Sequence, residues 1–330
     1  MRLRILLLAF FALVAGCQPQ RPDQLHIADS TPMVPSNPAY HWVQAVTSDG
    51  TRAGFRPKVF GSSVLGSDIE REEQTILGLL QINISSGEDV MRHSDLLRVL
   101  RLPFVFDSAA ELRCLVDRTD LLAKANAQTE PHGLTVIGIV FVGGMSGLFT
   151  SDKAVRAPAD LAGLRVRALD RTQVETLEAL GAAPVKVPWE EIQAALQTGI
   201  ASGYVNPPSV ALQFRHQRDL NHFLALEMFP GFRFVTASTR WLNGIAPQRR
   251  AAILASMARN SAANFALVQA RQQQDMKQLE KSGIAVTRLS ASDRDAFAQR
   301  ARAAYDALAD ASAIAQVKAM LARECKGDAI

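Results

Sequence analysis

Two α/β lobes with a cleft between them and long helices linking them are the architecture this chain predicts. Three observations carry the expectation. Segments that read as strands alternate with segments that read as helices, and such alternation builds open sheets covered by helices, mainly parallel. The alternation breaks at Gly143-Gly144 and then restarts. A helical stretch from 247 to 282 is long enough to run past both blocks. Two blocks joined this way leave a crevice, and crevices between domains are common ligand sites. The expected division is 25–144 plus about 232–270 in the first lobe, and 145–231 plus about 271–330 in the second.

The N-terminus reads as an export signal. Arg2 and Arg4 precede ten apolar residues (ILLLAFFALV), and small residues then lead to Cys17. That is the layout of a secretory signal over 1–16. The apolar run is too short to cross a bilayer, which takes about 20 residues. Residues 18–24 (QPQRPDQ) are polar with two prolines and read as a tether. Residues 25–28 read as a first strand and 38–46 as a helix. Alternation over 55–60 gives a second strand. Ser67 caps a helix expected from 68 to about 80, with acidic residues in its first turn where the helix dipole favours them. Residues 81–85 (QINIS) follow as a strand, with Ile82 and Ile84 on one face. The run LTVIGIVFV at 134–142 is almost continuously apolar, the pattern of a buried parallel strand.

Beyond Gly144 the second block has strands expected at 148–150, 164–169, 185–187 and 202–205. Helical turns or helices are expected at 158–161, 172–180 and 189–198. In the stretch from 247 to 282, Asn260, Ser261 and Gln272 interrupt the apolar stripe and leave open a break in the helix. Residues 284–289 read as a strand, and Ser290 with Asp293 has capping-box spacing at the start of the last helical segments.

Bulk properties narrow the function. The formal charge of +4 falls to +2 once Arg2 and Arg4 leave with residues 1–16, which argues against a nucleic-acid partner. Cys114 and Cys325 are the cysteines left beside Cys17; an exported chain can bridge them, tying the tail to the first lobe, or carry two unrelated thiols. The six histidines show no metal-ligand spacing, and there is no C-x-x-C, no P-loop and no nucleophile elbow around Ser146. No cofactor and no metal are expected. A site without a catalytic constellation points to a receptor rather than an enzyme.

The candidate binding residues cluster in the second block. In LRVRAL, Arg165 and Arg167 share one face of a strand while Leu164, Val166 and Ala168 share the other. An arginine offers a planar fork of donors that matches a carboxylate. Asn206 precedes Pro207-Pro208, which hold the turn rigid, and its amide can both donate and accept. Trp189 follows Pro188 at a helix start and can wall a pocket or sit in a core.

Four segments in order carry a resemblance to a known family: VFGSSVLGSDIEREEQTILGLLQINIS (59–85), LRLPFVF (100–106), LFTSDKAVRAPADLAGLRVRA (148–168) and GAAPVKVPWEEIQAALQTGIASGYVNPP (181–208). Together they resemble the DctP-like substrate-binding proteins of tripartite ATP-independent periplasmic (TRAP) transporters. The resemblance implies a two-lobed periplasmic-binding-protein-like fold and a receptor for small organic acids that passes its ligand to a TRAP membrane permease. A ligand-sensing or orphan binding lipoprotein that regulates a membrane partner is the alternative reading. By position, the family's carboxylate-binding arginine falls on Arg167, its asparagine on Asn206 and its ligand-side aromatic on Trp189. The acidic residue of the first-lobe helix falls on Glu70, and Ser30 and Ser86 fall on strand ends that face the cleft. Val14-Ala15-Gly16-Cys17 resembles a lipobox, which implies lipidation of Cys17 and anchoring to an extracytoplasmic membrane face. There are departures. Ser202 and Val205 replace the usual acidic pair, and Met145-Ser146-Gly147 supplies no second arginine. On that ground a monocarboxylate is expected in preference to a clamped dicarboxylate.

Overall fold

The computed structural model describes residues 22–325, so the signal segment, Cys17 and most of the tether lie outside the described residues. Within them the chain runs through β1 (Gln24–Asp29), β2 (Arg56–Phe60), β3 (Ile82–Ser85), β4 (Leu134–Met145), β5 (Gly147–Thr150), β6 (Arg165–Ala168), β7 (Ala183–Lys186), β8 (Gly203–Asn206), β9 (His222–Ala225), β10 (Pro230–Ser238) and β11 (Ala285–Arg288). They form a five-stranded sheet ordered β2-β1-β3-β10-β4 and a six-stranded sheet ordered β11-β9-β5-β8-β6-β7. The chain leaves the first sheet between β4 and β5 and returns to it between β9 and β10. Each sheet, with its helices, is one lobe.

Neither sheet is purely parallel. β1 pairs parallel with β2 and β3, but β10 enters antiparallel to β3 and β4. In the second sheet β5 is antiparallel to both β8 and β9. The apolar run at 134–142 was expected to be a parallel strand and is instead antiparallel to its single neighbour β10. The physical reason is that a continuous apolar run reports burial on both faces, not strand direction. The long helix and the helix Leu121–Thr129 pack on β4. β9 and β10 escaped the sequence reading; β10 is buried along eight of its nine residues, so no polar alternation marks it.

The helix Pro247–Lys281 is continuous over 35 residues, with no break. Two of the three interrupting polar residues, Ser261 and Asn260, have hydrogen-bond partners. Ser261 accepts the indole N–H of Trp42 at 3.1 Å, and Asn260 donates back to the Ser256 carbonyl at 2.9 Å. Asn264 accepts the amide of Phe141 at 2.7 Å and donates to the carbonyls of Pro38 and Phe141. Ile253 and Met257 pack into the first lobe's core, whereas Met276 and Leu279 pack with Phe149, Tyr204 and Phe223 of the second. One helix thus spans both lobes.

The tail departs from its expected place in the second lobe. From Ala304 onward it packs on the first. Tyr305, Leu308, Ile314, Val317 and Met320 share a cluster with Leu97, Leu112 and Leu115. Arg98 donates to the Leu308 carbonyl at 3.0 Å, and Cys114 is bonded to Cys325. The first lobe's helices present an apolar face that its own sheet does not cover, and the tail helix Ala311–Glu324 covers it.

Candidate functional site: an arginine-lined cavity between the lobes

A cavity of about 60 Å³ lies between the two sheets, lined by both lobes. Arg167 sits at its floor. β6 lies between β7 and β8, so Arg167 is flanked by Val185 and Tyr204 and cannot turn out to solvent. Its side chain is 2% exposed. The Nε donates to the Val187 carbonyl at 2.8 Å, while Nη2 is buried without a hydrogen-bond partner. Burial pushes the guanidinium pKa down to about 10, so it stays charged at neutral pH. A buried cation that lines a cavity and carries an unused donor suits an anionic partner.

Trp189 stands beside it, with the Arg167 guanidinium 5.7 Å from the indole ring. The ring is held edge-on against Phe214 at 4.8 Å and lies 5.8 Å from His216. Trp189 therefore walls the cavity and is not fully sunk in a core. Asn206 ends β8, and Pro207 and Pro208 start the helix Pro208–Phe214 directly after it. This fixes the backbone that carries its amide into the lining. Ser86 lines the cavity from the first lobe.

Two of the expected residues are placed elsewhere. Glu70 is exposed and accepts both the amide and the hydroxyl of Ser67, a capping box that uses its carboxylate locally. Ser30 is buried at the end of β1 but is not among the lining residues; the next residue, Thr31, is. Both residues lie in the bend that follows β1, where the chain turns and neighbouring side chains need not share a direction.

The sequence reading missed two arginines. Arg101 and Arg233 line the cavity from the first lobe. Residues 145–147 supply no second arginine, as read, but the first lobe brings two others to the lining. Arg101 lies inside LRLPFVF, one of the segments that carried the resemblance. Arg233 sits on β10, the strand that went unassigned. Arg101 donates to the Phe232 carbonyl at 3.2 Å and faces Asp170 at 3.7 Å. Arg233 lies 3.9 Å from Asp29 and 3.7 Å from Asp68. Thr31, Asn37 and Gln173 add hydroxyl and amide groups to the lining.

The lobes touch across the mouth. The Ser63 hydroxyl donates to Glu190, Lys186 lies 3.8 Å from Glu88, and the Arg101–Asp170 pair also joins the two sides. Behind Trp189, His216 Nδ1 is 3.1 Å from the Tyr204 hydroxyl. Burial lowers the His216 pKa from 6.5 to about 4 and raises that of Tyr204, so a neutral imidazole is hydrogen-bonded to a phenol that keeps its proton. The folded state resists protonation of His216 where the unfolded state does not. Its contribution is therefore complete above pH 6.5 and is lost as the pH falls toward about 4. Over that window this one residue should cost up to about 3 kcal/mol of stability. Urea melts at several pH values check it: the His216→Gln variant should be less stable outright, yet fall less steeply on acidification.

A two-lobed binding protein with an arginine-lined cavity between its lobes is the class that this fold and site define. The particular family follows from comparison: the chain belongs to the bacterial extracellular solute-binding protein family 7, DctP, whose model matches residues 34–311. Its similarity to the C4-dicarboxylate-binding periplasmic protein DctP of Rhodobacter capsulatus is 24% identity over 282 residues, covering 82% of this chain and 83% of that one. It is 23% identical over 252 residues to the 2,3-diketo-L-gulonate-binding periplasmic protein YiaO of Escherichia coli, covering 75% of this chain and 74% of the other. Matches to YiiZ of Salmonella typhimurium and to solute-binding proteins of Verminephrobacter eiseniae and Chromohalobacter salexigens span only 59%, 51% and 52% of those proteins. Among solved structures, a TRAP periplasmic solute-binding protein from Shewanella oneidensis with bound succinate superposes with a TM-score of 0.83 at 17% identity, covering 91% of this chain and 100% of that one. One from Bordetella, with density assigned to pantoate, gives 0.80 at 22%, covering 89% and 98%. At these identities the structures establish the fold. Among the described residues no helix is long and apolar enough to cross a membrane.

Proposed function

We propose that this protein is an extracytoplasmic receptor that binds a small organic acid between its lobes and delivers it to a TRAP-type secondary transporter. The observation that carries the reading is Arg167, which lines the interlobe cavity and whose buried guanidinium has a donor without a partner. A carboxylate accepts from Nη2 in a charge-assisted hydrogen bond, and exclusion of water strengthens the attraction. Asn206 and the hydroxyls of Thr31 and Ser86 orient the rest of the ligand, with Trp189 as one wall. These groups hold an anion without attacking it, which suits a receptor rather than an enzyme. Family membership supports the role, as do relatives named for binding 2,3-diketo-L-gulonate and C4-dicarboxylates. Contacts between the lobes support a closed form presented to the permease, and a ligand favours such a form only through contacts it makes there and not in an open one.

A thermal-shift screen against small organic acids tests the reading. A ligand at 100 times its Kd adds about 2.7 kcal/mol to stability, enough to move the melting temperature visibly. A panel of carboxylates that produces no shift would sink it.

Attachment to the membrane through Cys17 is part of the proposal. A tether of residues 17–24 reaches at most about 26 Å, so the receptor stays near the membrane that holds it. Metabolic labelling with a fatty acid should mark the wild type and not Cys17→Ala.

A further inference from the structure

The charged groups around the cavity are almost balanced. Arg101, Arg167 and Arg233 line it, and the fully buried Arg71 lies behind. Against these four stand three aspartates. Asp68 pairs with Arg71 and lies near Arg233, Asp29 also faces Arg233, and Asp170 faces Arg101. The neighbouring charges are mostly paired with one another or screened by solvent, with Glu190 also acting on Arg167 from the rim. Asp89 pairs with Arg92 at 3.0 Å, and Glu88 with Lys186 at 3.8 Å. Glu72 is buried behind Ser85, and burial pushes its pKa up to about 8, leaving it largely neutral at pH 7. Glu190 lies exposed at the mouth, where solvent and salt screen it. Burial raises the Asp29 pKa while Arg233 opposes that shift; with Asp29 ionised beside Arg233, four arginines less three aspartates leaves one net positive charge around the cavity.

Asp170 is the informative member. Its Oδ1 caps the helix Arg171–Leu180 by accepting the Gln173 amide at 2.9 Å. Asparagine or serine would cap equally well. Its Oδ2 is buried, makes no hydrogen bond, and faces Arg101 across the cleft. Capping leaves this second oxygen unexplained, but cancelling the Arg101 charge accounts for it. A ligand with one carboxylate then balances the remaining arginine. A second carboxylate would be a buried charge with no free counter-ion, and such charges are strongly disfavoured.

We propose that Asp170 sets the charge of the accepted ligand, restricting the cavity to monocarboxylates and excluding dicarboxylates of the same length. The proposal rests on the carboxylate-receptor reading above and sharpens it. The sequence pointed to a monocarboxylate because a second arginine was missing; the structure reaches the same class with additional arginines present, because each has its own aspartate.

Calorimetric titration of the whole purified protein tests this with two size-matched pairs, galactonate against galactarate and 4-hydroxybutanoate against succinate. Asp170→Asn keeps the capping oxygen and removes the charge. Asp29→Asn does the same at the other arginine, where Oδ1 accepts the Thr31 amide at 2.9 Å, and serves if the first variant does not fold. The wild type should prefer the monoanion of a pair by about 100-fold or more, and each variant should bind the dianion at least about 10-fold more tightly than the wild type does. Damage to the structure would weaken both ligands and could not produce that gain. Equal binding of both members of a pair by the wild type, or an unchanged ratio in the variants, overturns the proposal while leaving the receptor reading in place. Failure of all three proteins to bind any of the four acids overturns both.

Discussion

Replacing Arg167 with methionine should remove carboxylate binding while leaving the unliganded protein at least as stable as the wild type. The two effects have one cause. The guanidinium is buried with the Val187 carbonyl as its hydrogen-bond partner, and its pKa is held down to about 10. It stays charged at neutral pH, so burying that charge costs stability in the folded state, and methionine relieves the cost while keeping much of the volume. With a carboxylate present the same guanidinium gains its missing partner. Loss of a buried charge-assisted contact should weaken binding by on the order of 100- to 1000-fold. Arg167→Lys should fall between the two, because an ammonium keeps the charge but not the planar fork. Melting without ligand and titration with it read the two effects separately. A variant that binds as tightly as the wild type would remove Arg167 from the site.

Breaking the Cys114–Cys325 bond should produce the largest loss of stability. The bond joins residues 211 apart. Constraint of so long a loop in the unfolded chain is worth about 5 kcal/mol in the chain-entropy account, with measured losses more often about 2–5 kcal/mol. Cys114→Ser with Cys325→Ser should therefore unfold at much lower urea, and reductant should bring the wild type to the same midpoint. Because the tail packs mainly on helices of the first lobe and supplies no residue of the cavity lining, ligand affinity should survive under conditions where the variant is folded. A variant as stable as the reduced and the oxidised wild type alike would mean that the bond adds nothing.

Much of the second lobe was legible in the sequence because its signals are local. Strand alternation in LRVRAL, the Gly at the end of a helix and the Pro-Pro turn after Asn206 each act over a few residues. The resulting elements place Arg167, Trp189 and Asn206 in one cavity. The first lobe was read less well at the site. Glu70 looked like a cleft residue but is committed to Ser67 three positions away, a local alternative that spacing alone could not rank. Ser30 was one residue away from the lining. Arg233 lies on a strand whose neighbours are β3 and β4, about 150 and 95 residues earlier in the chain, so no nearby pattern announces it.

By itself the sequence determined the two-lobed α/β class, the family, and the position of one arginine, because burial periodicity, turn residues and short ordered motifs are properties of neighbouring residues. Only the tertiary structure decided which strands run antiparallel, where the tail docks and how many arginines meet in the cavity. It also decided which aspartate cancels which arginine. Those outcomes depend on groups far apart in the chain coming within a few ångströms of each other, and electrostatic balance in a buried site is set by that distance and by the exclusion of water.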